Sequence, residues 1–133
     1  MAIQLSTSVR NARLDAIEST IGTSPILKIR TGAQPANCAA ASTGTVLATI
    51  TLPSDWAAAA SSGSKALSGT WQDSSADATG TAAHFEILDS GGSTCHMRGS
   101  VGTSGADLNL DSTSITSGQS VTITSFTITD ANS

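Results

Sequence analysis

The feature that most constrains the fold of this chain is a single β-hairpin predicted between Thr81 and Val101. Apolar and polar residues alternate on both sides of segment 89–93, whose serine and glycine residues suit a chain reversal. One face of the hairpin is then apolar and the other is charged, as in a half-buried antiparallel pair. The predicted cross-strand pairs are Ile87 with Cys95, Phe85 with Met97, and Glu86 with His96.

The rest of the chain predicts one helix followed by short strands. Apolar residues recur at helical spacing in 6–21, after serine and threonine residues that can cap a helix, and Gly22 and Pro25 end the pattern. Beyond Pro25 the period changes to two, and about seven or eight short strands are separated by Gly, Ser and Asp turns. The longer predicted segments are strands 26–31, 45–52, 66–72, 106–111 and 120–129, with a short helical turn after Ser54.

This pattern favours a mainly β fold, an antiparallel β-sandwich or jelly-roll-like domain with one N-terminal α-helix. We divide it into an N-terminal helical arm, residues 1–24, and a β-sandwich domain, residues 25–133. In the last strand the apolar phase slips between Ile123 and Phe126. A slip of one residue turns every later side chain to the other face, so we predict a bulge or bend near 124–125.

The charge of the chain is uneven. The net charge of −4 argues against nucleic acid as the main partner. Residues 1–32 nevertheless carry +2 and the remainder carries −6. This basic segment indicates a surface that docks on something acidic, and a solvated helix face is the alternative. Its cations are Arg10, Arg13, Lys28 and Arg30.

The sequence gives no sign of a membrane or secretion segment. The longest apolar run, 56–60, is too short to cross a bilayer, and the N-terminus lacks the pattern of a signal peptide. We therefore expect synthesis in a cytoplasm, no membrane partner, and cysteines that are reduced there.

Two cysteines and two histidines raise the question of a zinc site. The predicted hairpin turns His84 and His96 to the face opposite Cys95, so these side chains do not converge with Cys38, and we expect no metal. We expect two small, partly buried thiols. A Cys38–Cys95 disulfide is the alternative if the protein reaches an oxidising exterior.

Glu86, facing His96 with Arg98 on the diagonal, has the residue types of acid–base catalysis. A catalytic interpretation needs a nucleophile or a second carboxylate in a cleft, and the sequence identifies neither. Ion pairs across a solvated sheet face account for the same residues. We therefore expect no enzyme activity, no catalytic residue and no cofactor.

Several phrases of this chain resemble a family of small structural proteins of tailed bacteriophages, encoded among head genes, and the resemblance extends over nearly the full length. The resemblance implies a virion component made in the host bacterial cytoplasm, most plausibly a capsid decoration (cement) protein. No catalytic motif accompanies it. The phrases are SVRNARLDAIESTIG (8–22), LKIRTGAQPANCAA (27–40), LPSDW (52–56), SGTWQD (68–73), AAHFEI (82–87) and TCHM (94–97).

The implied partner is the major capsid protein, on the outer surface of the shell, and the implied assembly is a homo-oligomer, for which we expect a closed trimer. The contact cations would be Arg10, Arg13, Lys28 and Arg30, with loops 53–66 and 73–80 facing outward or toward other subunits. Two alternatives remain. One is a tail or adhesion module that binds host glycans, and the other is a metal-dependent or hydrolytic enzyme.

Overall fold

The computed structural model describes residues 3–130, which form one helix and eleven short strands. The predicted mainly β, sandwich-like fold with one N-terminal helix is confirmed. The elements are α1 (Thr7–Ile21), β1 (Ile26–Arg30), β2 (Val46–Thr51), β3 (Ser64–Ala66), β4 (Trp71–Asp73), β5 (Gly80–Thr81), β6 (His84–Leu88), β7 (Cys95–Gly102), β8 (Leu108–Asn109), β9 (Ser114–Ile115), β10 (Val121–Ile123) and β11 (Thr127–Thr129).

One five-stranded sheet dominates the architecture, with strand order β2-β1-β6-β7-β8. Its pairs are antiparallel except β7 with β8, which is parallel. The other strands form three two-stranded antiparallel pairs, β4 with β10, β3 with β11, and β5 with β9. The central strands β1 and β6 therefore have a hydrogen-bonded neighbour on both sides.

The four aromatic residues of the chain form one connected row through the core. Phe85 on β6 meets Phe126 edge to face, with ring centroids 5.7 Å apart. Phe126 contacts Trp71 at 5.5 Å, and Trp71 contacts Trp56 at 6.1 Å. All four are buried. The row links the main sheet to the smaller strand pairs, and it gives a core rich in small side chains most of its bulk.

The hairpin exists as β6 and β7, but its predicted register is wrong. Glu86 pairs with Arg98 rather than His96, and Phe85 pairs with Gly99 rather than Met97. The aromatic ring of Phe85 lies over Gly99, where a Cβ atom would come within 2.5 Å of its Cε1. Only glycine fits opposite this ring, and that requirement fixes the register two residues from the predicted one.

A bulge at His96 also changes which face Cys95 occupies. Ile87 pairs with Met97 and Leu88 pairs with Cys95, so His96 is an extra residue in β7. Cys95 consequently lines the same cavity as Glu86, and His96 lies against α1. The prediction that Cys95 shares the apolar face of the hairpin is therefore wrong.

Two further local predictions are wrong and one is confirmed. The predicted strand 66–72 is broken into β3 and β4 because Gly69 has a φ of +75°. The helical turn predicted after Ser54 is absent, and Ala57 instead forms a β-bridge with Leu67. The predicted bend near 124–125 separates β10 from β11.

Helix α1 begins after Ser6, whose side chain accepts a hydrogen bond from the Val9 amide, and ends at Gly22. It is held to the strands by a buried lysine on β3. The Lys65 ammonium lies 2.7 Å from Asp15 and 2.7 Å from Glu18, both on α1, and the Lys65 side chain is only 1% exposed. Burial alone would lower the pKa of Lys65, but the two carboxylates outweigh burial and raise it. The helix is thus fixed to the β domain by charge as well as by buried Leu14.

We predict that Lys65→Met lowers the free energy of unfolding by about 2 kcal/mol, because it leaves the α1 carboxylates and the Ala58 carbonyl without their donor. Methionine keeps the apolar stem, so the loss reports the ion pairs. Urea unfolding measures it. Lys28→Met, at a half-buried surface lysine, is the control. Equal stability of the two variants would contradict the assigned role of Lys65.

Candidate functional site

The charged face of the main sheet is covered by the loop 32–44, and a buried ion-pair cluster lies beneath that loop. Its centre is Glu86, whose side chain is 1% exposed. Arg30 Nε lies 2.8 Å from one carboxylate oxygen, and Arg98 Nη2 lies 3.1 Å from the other. The Ser42 hydroxyl donates to Glu86 at 2.9 Å. We call Arg30, Ser42, Glu86 and Arg98 the Glu86 cluster. The predicted solvated ion-pair face is therefore wrong, because the loop removes it from water.

Arg98 joins the loop to the hairpin. Its Nη1 donates to the backbone carbonyls of Asn37 at 2.6 Å and Ala40 at 2.8 Å, and its Nη2 donates to the Ser42 hydroxyl at 3.0 Å. Its side chain is only 4% exposed. A planar guanidinium can serve several acceptors at once, so Arg98 alone binds three groups of a loop that has no strand pairing of its own along 33–44.

The donors around Glu86 favour its ionised form. Burial by itself would raise the pKa of Glu86, but hydrogen bonds from Arg30, Ser42 and Arg98 outweigh burial and lower it. Both carboxylate oxygens are engaged by these donors. A carboxylate in this state neither releases nor accepts a proton near neutral pH. The contacts of the cluster hold loop 32–44 against β6 and β7.

The structure brings the two cysteines together at the edge of this cluster. Cys38 on the loop and Cys95 on β7 line one open cavity of about 330 Å³, and both are half-buried free thiols. The Cys95 thiol donates to the Met97 carbonyl oxygen, 3.7 Å away. Burial, followed by the neighbouring Cys38, raises the pKa of Cys95 to about 12.

The histidines do not join the cysteines. His84 is fully buried, and its Nδ1 lies 3.0 Å from the Gly32 carbonyl oxygen. Its Nε2 is buried and has no hydrogen-bond partner within the described part of the chain. His96 lies against α1. Within residues 3–130, no group of three His, Cys, Asp or Glu side chains is placed to hold a metal ion.

The four cations proposed as contacts divide into two environments. Arg10 donates to the backbone carbonyl of Asp130 at 3.4 Å, and Arg13 pairs with the Asp130 carboxylate at 3.2 Å. Lys28 and Arg30 instead line the cavity of the Glu86 cluster. Arg30 is 13% exposed, whereas Arg13 is 53% exposed. Of the four, Arg13 is therefore the cation that the fold presents most clearly to the surface, while Arg30 is committed to Glu86.

Around Arg13 the helix presents a mixed apolar and basic face. Val9, Arg13, Ala16 and Thr20 recur at helical spacing and are exposed. His96 and Ile17 border a shallow apolar depression next to them. We call Val9, Arg13, Ala16 and Thr20 the outer α1 face.

Both tryptophans are buried, each with 0% exposure. Trp71 Nε1 donates to the backbone of Trp56 and Ser68, and Trp56 Nε1 donates to the Gly22 carbonyl. Neither ring can stack on a sugar in this structure, so the arrangement that would favour a glycan-binding module is not observed among the described residues.

No protein-family model, curated protein or solved structure matches this chain. In residues 3–130, no helix is long and apolar enough to cross a membrane. The chain's own residues, charges and sequence phrases therefore carry the functional inference.

We predict that Glu86→Gln lowers the free energy of unfolding by about 3 kcal/mol at about pH 7, because two buried guanidinium groups lose their counter-charge. In the folded protein the pKa of Glu86 is lowered from its usual value of 4.5. The pairing therefore stabilises the protein fully above pH 4.5, and this stabilisation is lost as the pH falls through the folded-state pKa. The difference between the wild type and Glu86→Gln should therefore shrink at about pH 3 in urea unfolding experiments.

Asp55→Asn is the control for this measurement because Asp55 is exposed. It should change the free energy of unfolding by less than about 0.5 kcal/mol at either pH. A Glu86→Gln protein as stable as this control near neutral pH would show that the cluster does not hold the loop.

Proposed function

We propose that this chain is a non-enzymatic structural protein of a bacteriophage virion, which binds the outside of the capsid shell through its major capsid protein and stabilises or decorates it. The observation that carries the proposal is the exposed outer α1 face, where Arg13 stays 53% exposed although it pairs with Asp130. Such a face complements an acidic surface, and surface complementarity is how a protein without a reaction site binds its partner.

The use of the buried polar groups supports a structural role. Glu86, Arg98 and Lys65 are the most buried charged side chains in the ion pairs of the described chain. Each of them holds a loop or a helix in place. Short strands, a covered sheet face and a fixed helix make a rigid body. Rigidity suits a protein that stabilises a shell because little conformational freedom is lost on binding.

A decoration protein occupies many equivalent positions, so we also propose a homo-oligomer with closed symmetry, a trimer around a local axis of the shell. The oligomer then brings several copies of the outer α1 face to the shell, and their combined affinity exceeds that of one copy. Virion localisation follows from the same proposal, after synthesis in the host cytoplasm.

We predict that Ala16→Glu weakens binding to purified capsids and that Ala16→Lys, the matched variant of opposite charge, binds at least as tightly as the wild type. Ala16 is exposed at the centre of the outer α1 face, so neither change removes an internal side-chain contact. We expect their dissociation constants to differ about tenfold, corresponding to about 1.4 kcal/mol, with the difference falling at high salt. Co-sedimentation with capsids measures this.

Asp111→Asn is the remote control, because Asp111 is exposed outside the N-terminal segment. It should bind as the wild type does. If both Ala16 variants also bind as the wild type does, α1 is not the contact surface.

We predict that sedimentation equilibrium of the purified protein gives a mass three times that of one chain. A chain that stays monomeric up to millimolar concentration, and that still binds capsids, would contradict the trimer but leave the capsid contact intact.

A further inference from the structure

We propose that Cys38 and Cys95 are the site of a reversible modification, in which an intramolecular disulfide fastens the loop 32–44 to the hairpin of β6 and β7. The inference goes beyond the proposed function and does not depend on capsid binding. The two cysteines lie far apart in the sequence, and the fold brings them to one cavity wall.

The position of the pair is fixed by Arg98. The two carbonyls that accept from its Nη1 belong to Asn37 and Ala40, which bracket Cys38 on the loop. Cys95 lies on the same strand as Arg98 and lines the same cavity as the loop. The guanidinium therefore holds the loop backbone against the strand beside the cavity that both thiols line. Both thiols line the same cavity before any oxidation, so the bond would form at a site to which the reduced fold already brings them.

The oxidant belongs to the class of low-molecular-weight disulfides, such as oxidised glutathione. Either cysteine, once deprotonated, can start the exchange, and both orders give the same product. When Cys38 starts it, the Cys38 thiolate bonds to one glutathione sulfur and releases the other as a thiolate. Cys95 then loses its proton to water, bonds to the Cys38 sulfur and displaces the second glutathione thiolate. Two protein thiols are oxidised and one small disulfide is reduced to two thiols.

The consequence is a loop whose attachment depends on its compartment. In a reducing cytoplasm the loop has no covalent attachment to the hairpin, and hydrogen bonds, including those of Arg98 and Ser42, hold it there. In an oxidising exterior the disulfide adds a covalent tie across a long stretch of chain, which restricts the unfolded state and stabilises the folded one. The protein would thus become more stable after it leaves the cell in which it is made.

The test is to incubate the full-length protein with oxidised glutathione or with a thiol reductant, then to measure intact mass, free thiols and melting temperature. We expect the oxidised chain to be monomeric in non-reducing conditions, two hydrogen atoms lighter, and without titratable thiols. We expect its melting temperature to be about 10 °C higher than that of the reduced protein. A stable glutathione adduct, a disulfide-linked dimer or retained thiols would overturn the proposal.

Cys38→Ser and Cys95→Ser are the matched controls. Each keeps a small polar side chain and removes one sulfur, so oxidised glutathione should not raise the melting temperature of either. A rise equal to that of the wild type in either variant would overturn the proposal. If a variant does not fold, the mass and thiol count of the wild-type chain decide the question alone.

Discussion

The structure depends on the burial of one carboxylate between two guanidinium groups. Glu86 lies on a central strand, and its partners come from both neighbouring strands, Arg30 on β1 and Arg98 on β7. Removing three charges from water is costly, and the cost is offset only because each is paired and hydrogen-bonded. The pairing therefore fixes both the alignment of these strands and the position of the loop that seals them. The row of four aromatic side chains, which begins at Phe85, attaches the smaller strand pairs to the main sheet.

The same device recurs at the helix. Lys65 is buried on β3 and reaches two carboxylates on α1, so the helix is held by a specific charge geometry as well as by a weakly amphipathic stripe. A chain with few aromatic and long aliphatic side chains has little apolar area to bury. Buried ion pairs give such a chain a unique arrangement even where they add little net stability. The result is a body in which Glu86 and Lys65 are both paired in the interior, while the outer α1 face with Arg13 lies at the surface.

The sequence predicted the classes of element well and their partners less well. Helix α1, strands β1 and β2 and the bend before Phe126 follow from local periodicity and capping, which are properties of neighbouring residues. The hairpin register does not, because it depends on Phe85 meeting Gly99 across the sheet. The bulge at His96 places Cys95 on the charged face. The alternation of apolar and polar residues does not reveal one extra residue in a strand.

The candidate site was only partly visible in the sequence for a related reason. The sequence placed Arg98 on the diagonal from Glu86, but the burial of both side chains depends on loop 32–44. Arg98 binds the Asn37 and Ala40 carbonyls of that loop, and these contacts leave no pattern in the sequence. The sequence carried one indication that Lys65 is buried. It lies two residues before Leu67, on the same side of a strand, and a cation on the core side of a strand needs buried partners. Those partners, on a distant helix, required the fold.

Electron microscopy of the intact particle would locate this chain. A capsid decoration protein gives density on the outer surface of the head, repeated around a local symmetry axis and contacting the shell through α1. Density on the tail would contradict the claim and favour an adhesion role, and a particle without the chain would contradict any virion role.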